Sequence, residues 1–247
     1  MRSAEQRQKR GTMEEKKRYY LLDFLRGICI LLVVGYHALY NLSEIFGGEY
    51  AFFRHRGMDL FRDCFVGVLI VLAGISCSLT RSNLRRGIKT LLWGLVITAV
   101  TAIAMPDQRI LFGILHFFGC AMLLWALLGR YLEKIPLWIG VSVSLVLFFA
   151  TQGLYAASVG WSNSFLCYIL GFCTGHYSAD YYPLMPWLFL FLAGGFLGRL
   201  FREGRVPALF TRDPVPALSR IGRHTLSIYI VHQPVIYGLM YLFFEIL

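Results

Sequence analysis

Three residues in the first long apolar run carry chemistry that lipid admits only at a cost: Asp23, Arg26 and His37. An ionisable side chain inside a bilayer needs a partner or a purpose. Asp23 and Arg26 stand three apart, which places them on one face of a helix. Either they neutralise each other as an ion pair, or Arg26 is left to receive an anionic ligand. His37 lies farther along, about 24 Å from Leu21 at the helical rise. His116 enters a later run from the opposite direction and reaches a similar depth, near the outer surface. His232 sits roughly 14 Å in from Arg223, which reads as close to the midplane. Neutral imidazole accepts protons near pH 7, so two histidines sharing a cavity suit general-base catalysis. The alternative is that each one hydrogen-bonds a neighbouring helix and nothing more. The stretches between runs add His55, Asp59, Asp63, His176 and Asp180, with Tyr50, Phe52, Phe53, Tyr177, Tyr181, Tyr182 and Trp187 near them. Aromatic residues there suit either an interfacial belt or a sugar-binding surface.

The elements that must hold these groups are set by composition. Hydrophobic residues make up 57% of the 247 and charged residues only 15%. A soluble fold of this length needs more charge than that to cover its surface. The net charge of +10 does not indicate nucleic acid, because the cations fall between apolar runs and form no basic stripe. The segment 1–18 is basic and precedes the first apolar run. No A-x-A-like site follows that run, so it is expected to be retained as a helix. Six cysteines lie scattered without a CxxC pair, which argues against a zinc ribbon or a redox motif, and no metal is expected. No P-loop, GxSxG, HExxH or GxGxxG is present.

A span needs roughly 20 mainly apolar residues, with about 17 as the lower limit. Seven stretches qualify: 21–42, from Asp63 to Thr80, between Lys89 and Asp107, between Arg109 and Arg130, from Pro136 to about Thr151, 184–200, and from His224 to about Phe244. The run 165–173 is too short and reads as an interfacial or re-entrant segment on the outer side. With the N-terminus in the cytoplasm, the cations of 1–18, 81–89, 130–135 and 199–223 all lie inside. Only Arg54, Arg56, Arg62 and Arg109 then face outward. An eighth span would put the arginines of 199–223 outside, against the positive-inside rule. Gly194 and Gly198 form a GxxxG, as do Gly171 and Gly175, a spacing that suits close helix packing. The expectation is an all-α, polytopic transmembrane helix bundle occupying 19–247.

Four segments in order resemble the transmembrane acetyltransferase family of heparan-α-glucosaminide N-acetyltransferase, in its compact bacterial form. They are LDFLRGICILLVVGYH (22–37), FGILH (112–116), DYYPLMPWLFLFLAGGFLGR (180–199) and IGRHTLSIYIVHQPV (221–235), with the basic turn 85–95 in keeping. The resemblance implies an acetyl group moved from cytosolic acetyl-CoA to the amine or hydroxyl of an extracytoplasmic sugar or glycan. It implies a multi-pass protein of a bacterial cytoplasmic membrane, acting alone or as a homo-oligomer. The donor phosphates would be drawn by cations such as Arg81, Arg85, Arg86, Arg220 and Arg223. The thioester would meet the acceptor near His37 and His116. His37 is the first candidate for the base, ahead of His116 and of His55. Asp23, Arg26, Asp63, Asp180, Arg223 and His232 are candidates for binding donor or acceptor. Two departures stand out. Lysosomal relatives carry a different polar residue where His37 stands, and bacterial relatives an acid where Asn41 stands. The chief rival reading is a small-metabolite carrier with Asp23, Arg26 and His232 along a polar path. Against it, no inverted repeat is visible. The other is a structural or assembly protein.

Overall fold

The computed structural model describes residues 18–47, 55–157, 164–173 and 176–246. The basic segment before Arg18, the loop residues Tyr50, Phe52, Phe53 and Arg54, and Gly175 of the second GxxxG lie outside them. All regular structure among the described residues is helical: α1 (Tyr20–Tyr40), α2 (Arg56–Leu79), α3 (Asn83–Ala104), α4 (Ile114–Leu132), α5 (Leu137–Ala157), α6 (Phe165–Leu170), α7 (Leu184–Arg202), α8 (Pro216–Arg223) and α9 (Thr225–Tyr241). Turns of π-helix extend α1 over Asn41–Ile45 and α9 over Leu242–Ile246. Six of these rods are long and apolar enough to cross a membrane: α1, α2, α3, α4, α7 and α9, with α1 and α9 counted through their π turns. The remaining expected span is α5, whose apolar described part is Leu137–Gly153 and whose 21 residues reach about 32 Å. The chain is therefore a polytopic helical membrane protein. The expected outer segment is α6, six residues long and closed by Gly171 in the left-handed region (φ 93°), far too short to span.

Contacts divide the chain into two compact units, 1–49 with 206–247, and 50–205. In the first, α8 lies against the start of α1 with no side chain between the backbones. A Cβ on Gly27 would strike the Leu218 carbonyl, and one on Gly222 the Asp23 carbonyl. The sequence of α8 dictates which side faces in. Ser219 and Gly222, three apart, are buried, while Arg220 and Arg223 on the other side are exposed. Pro216 starts the helix at a position that has no need of an N–H. Ser219 then donates to Asp213 Oδ1 at 2.6 Å, fixing the turn before it. On α9 the only buried side chain is His232, while Val231, Val235 and Leu239 are exposed, as bilayer contact requires.

In the second unit α2 crosses α7 just as closely. A Cβ on Gly74 would meet the Phe191 carbonyl, and one on Gly194 the Val71 carbonyl. The expected packing role of the Gly194/Gly198 pair is thus what the helices use it for. At the other end of α7, Arg199 is buried and spends its guanidinium on the C-terminus of α4. It donates to the Leu132 carbonyl at 2.6 Å and the Ile135 carbonyl at 2.7 Å. Leu132 ends α4 and Ile135 lies in the turn that follows, so the guanidinium meets the negative end of the helix dipole. The outer faces of α3 and α5 present Leu92, Val96, Val100, Ile103, Val146 and Phe149 as exposed apolar side chains. Lipid covers such rows.

Candidate active site

The first unit holds a polar cluster where α1 gives way to its π turn. His37 is half-buried on α1, and its ring centroid lies 4.9 Å from that of His232 on α9. The two were expected at different depths, and they meet instead. The reason lies in α8. Depth along α9 was reckoned from Arg223 as though it marked the membrane edge. Yet Gly222 abuts Gly27, already the second turn of α1. From that crossing His37 and His232 are each ten residues on, about 15 Å along a helix.

His232 is fixed in one tautomer. Its Nδ1 lies 2.6 Å from the Tyr229 carbonyl oxygen. A carbonyl only accepts, so Nδ1 carries the hydrogen and Nε2 carries the lone pair. Nε2 is buried and has no hydrogen-bond partner. One residue on, Gln233 Nε2 donates to Asn41 Oδ1 at 2.8 Å. Asn41 is fully buried (0% exposed) at the first position of the π turn. Such one-turn widenings often mark functional sites. In the sequence Asn41 stands out only as a departure from bacterial relatives, and Gln233, beside His232 and ahead of Pro234 in an apolar helix, is not singled out.

Near the N-terminal end of α1, Asp23 is buried and clamped. Arg26 donates to Oδ1 at 2.7 Å, and Arg18 to Oδ2 at 2.9 Å. Of the two readings of Asp23 and Arg26, the structure shows the ion pair, with Arg18 as an unforeseen third member. Arg223 is exposed on the outer side of α8.

The other candidates fall in the second unit. His116 is buried in the first turn of α4, and both its nitrogens are engaged. Nδ1 accepts from the Gly113 N–H at 3.2 Å, as the third residue of a capping box does. Nε2 lies 3.2 Å from Thr98 Oγ1. Because Thr98 gives its own proton to the Ile110 carbonyl at 2.7 Å, the imidazole is the donor to Thr98. Gly94 leaves the room this ring needs, since a Cβ there would press on it at 3.1 Å. Asp180 completes the same cap by accepting from the Ile114 N–H at 3.0 Å, where a carboxylate also meets the positive end of the helix dipole. The loop containing it is tied down by Ser178, which accepts from the Leu111 N–H at 3.0 Å. His55 caps α2, its Nδ1 accepting from the Gly57 N–H at 3.0 Å. Asp63 pairs with Arg62 at 3.0 Å, and Asp59 with the same arginine at 3.1 Å. These are local, partly exposed ion pairs.

The residues gathered here as candidates therefore separate into two kinds. His116, Asp180 and His55 hold helix ends. His37, His232, Asn41 and Gln233 surround polar atoms that the fold itself leaves unsatisfied. Comparison with known families matches residues 18–234 to the family described as heparan-alpha-glucosaminide N-acetyltransferase, catalytic. No curated protein and no solved structure matches the chain.

Proposed function

The chain belongs to the heparan-alpha-glucosaminide N-acetyltransferase catalytic family, and on that premise we propose that it moves an acetyl group from cytosolic acetyl-CoA to an amine or hydroxyl of an extracytoplasmic sugar or glycan. The membrane is a bacterial cytoplasmic membrane, with the N-terminus inside. The observation that carries this reading is the pair His37 and His232, 4.9 Å between ring centroids. In it the Nε2 lone pair of His232 is buried without a partner.

The acceptor nitrogen or oxygen attacks the thioester carbonyl carbon, and its proton passes to His37. The C–S bond then breaks, and CoA leaves as the thiolate, which takes up that proton. His232 presents its Nε2 lone pair to the protonated His37 and shares the charge with it. A base at this step contributes about 10²–10⁴-fold. The Tyr229 carbonyl keeps His232 in the tautomer the step requires. Burial shields His232 from bulk water, which would otherwise compete for the thioester. Arg220 and Arg223 stand on the exposed side of α8, the helix whose Gly222 abuts the backbone of the ion-paired Asp23. Their charge draws the donor phosphates to the cytosolic face.

The test is transfer from labelled acetyl-CoA to amino sugars by the purified protein. His37→Ala and His232→Ala are each expected to lower it by about 10²-fold or more. Wild-type rates in both would remove the pair from the reaction. Flux of a small metabolite through proteoliposomes without acetyl-CoA would instead favour a carrier.

A further inference from the structure

The Asn41–Gln233 contact has one hydrogen bond where two primary amides offer more. After Gln233 Nε2 donates to Asn41 Oδ1, Asn41 Nδ2 and Gln233 Oε1 remain buried and unpartnered. A buried polar group left so is costly, and native folds seldom keep two side by side. The conclusion survives turning both amides over. Asn41 would then donate to Gln233, and the orphans would be one carbonyl oxygen and one amino group as before. Either way one donor and one acceptor stay unsatisfied on the two hydrogen-bonded amides, and Gln233 directly follows His232 of the histidine pair. Asn41 cannot turn outward to satisfy itself, since it is wholly buried in the π turn.

We propose that Asn41 and Gln233 form a subsite for a secondary amide, –CO–NH–, of a bound substrate or product. Its carbonyl accepts from the free amino group of the pair, and its N–H donates to the free carbonyl. An ester or an alkyl chain satisfies at most one of the two. This rests on the acyltransfer reading for the identity of the ligand, where two sources supply such an amide: the amide-bearing arm of the thioester donor, and an acetamido group on the sugar.

The experiment is binding to the full-length protein in detergent, read without turnover. One arm compares N,S-diacetylcysteamine, a thioester with an amide, with S-propyl thioacetate, which lacks it. A second compares N-acetylglucosamine with glucose. Wild-type protein is expected to favour the amide in one arm by about tenfold, a loss typical of one or two buried hydrogen bonds. That arm names the source. Asn41→Leu with Gln233→Met replaces both amides by apolar groups of similar size and is expected to erase the preference. Should this variant fail to fold, the wild-type comparison still decides, as does the ester isostere of N,S-diacetylcysteamine, in which only the N–H is lost. Equal binding of amide and non-amide partners in both arms overturns the proposal, as does a preference that the double variant retains; the pair then holds water only. Loss of transfer activity alone leaves this result standing, so failure of the subsite and failure of the acetyltransfer reading are told apart.

Discussion

At the scale of residues, two histidines in apolar helices part company through their hydrogen bonds. His116 offers no free lone pair. Its Nδ1 is taken by the Gly113 N–H, and its Nε2–H by Thr98. His116→Ala is therefore expected to cost about 2–3 kcal/mol of stability, the price of an emptied buried site and two orphaned partners. Thermal unfolding checks this, with transfer by the surviving folded fraction staying within a few-fold of wild type. A loss of transfer of 10²-fold or more with unchanged stability would restore His116 to the chemistry. His232 is the opposite case, one nitrogen anchored on a carbonyl and the other unclaimed. The residue types alone do not separate these two. A histidine in an apolar run is legible in sequence, but its partners come from chain far away. Thr98 and the cap at Gly113 decide one, and Tyr229 decides the other. Asp23 and Arg26 were legible as a pair because their spacing is local, whereas Arg18 is five residues back from Asp23, off the regular helical spacing, and α1 begins only at Tyr20.

At the scale of elements, the spans were readable because length and hydropathy are properties of continuous chain. All seven expected ranges hold a helix, and the short run 165–173 holds only the six-residue α6. What the apolar pattern left out is α8. It is a polar, basic segment by composition, yet it packs backbone to backbone on α1 and so sets which residues of α1 and α9 come level. Gly222→Val is expected to prevent this packing, since its side chain would have to occupy the space of the Asp23 carbonyl. Overpacking of this sort typically costs about 1–3 kcal/mol and more where backbone is struck. The matched control is Gly35→Ala on the same α1, where a Cβ meets nothing within 4 Å. Size-exclusion profiles after extraction should be normal for Gly35→Ala and aggregated or absent for Gly222→Val. Similar yields of both would mean that α8 does not seat against α1 as described.

At the scale of the whole molecule, orientation follows from charge and remains the reading on which acetyl-CoA delivery depends. In a cysteine-free background, Arg212→Cys is expected to react with an impermeant thiol reagent only in inside-out vesicles, and Asp59→Cys only in right-side-out ones. Both positions are exposed, so reactivity reports the side and not burial. The reversed pattern would invert the topology and put the donor on the wrong face. The distribution of cations predicts the orientation from sequence, whereas the polar cluster around His37 and His232 was not legible there, because it forms only when segments nearly 200 residues apart are brought together. The most direct measurement is acetyl transfer by purified protein in sealed proteoliposomes, with labelled acetyl-CoA on the cytosolic side and an amino sugar on the other. Wild type is expected to acetylate the sugar, and His37→Ala/His232→Ala to lose that activity while remaining folded. Transfer at the wild-type rate by the double variant would contradict the account.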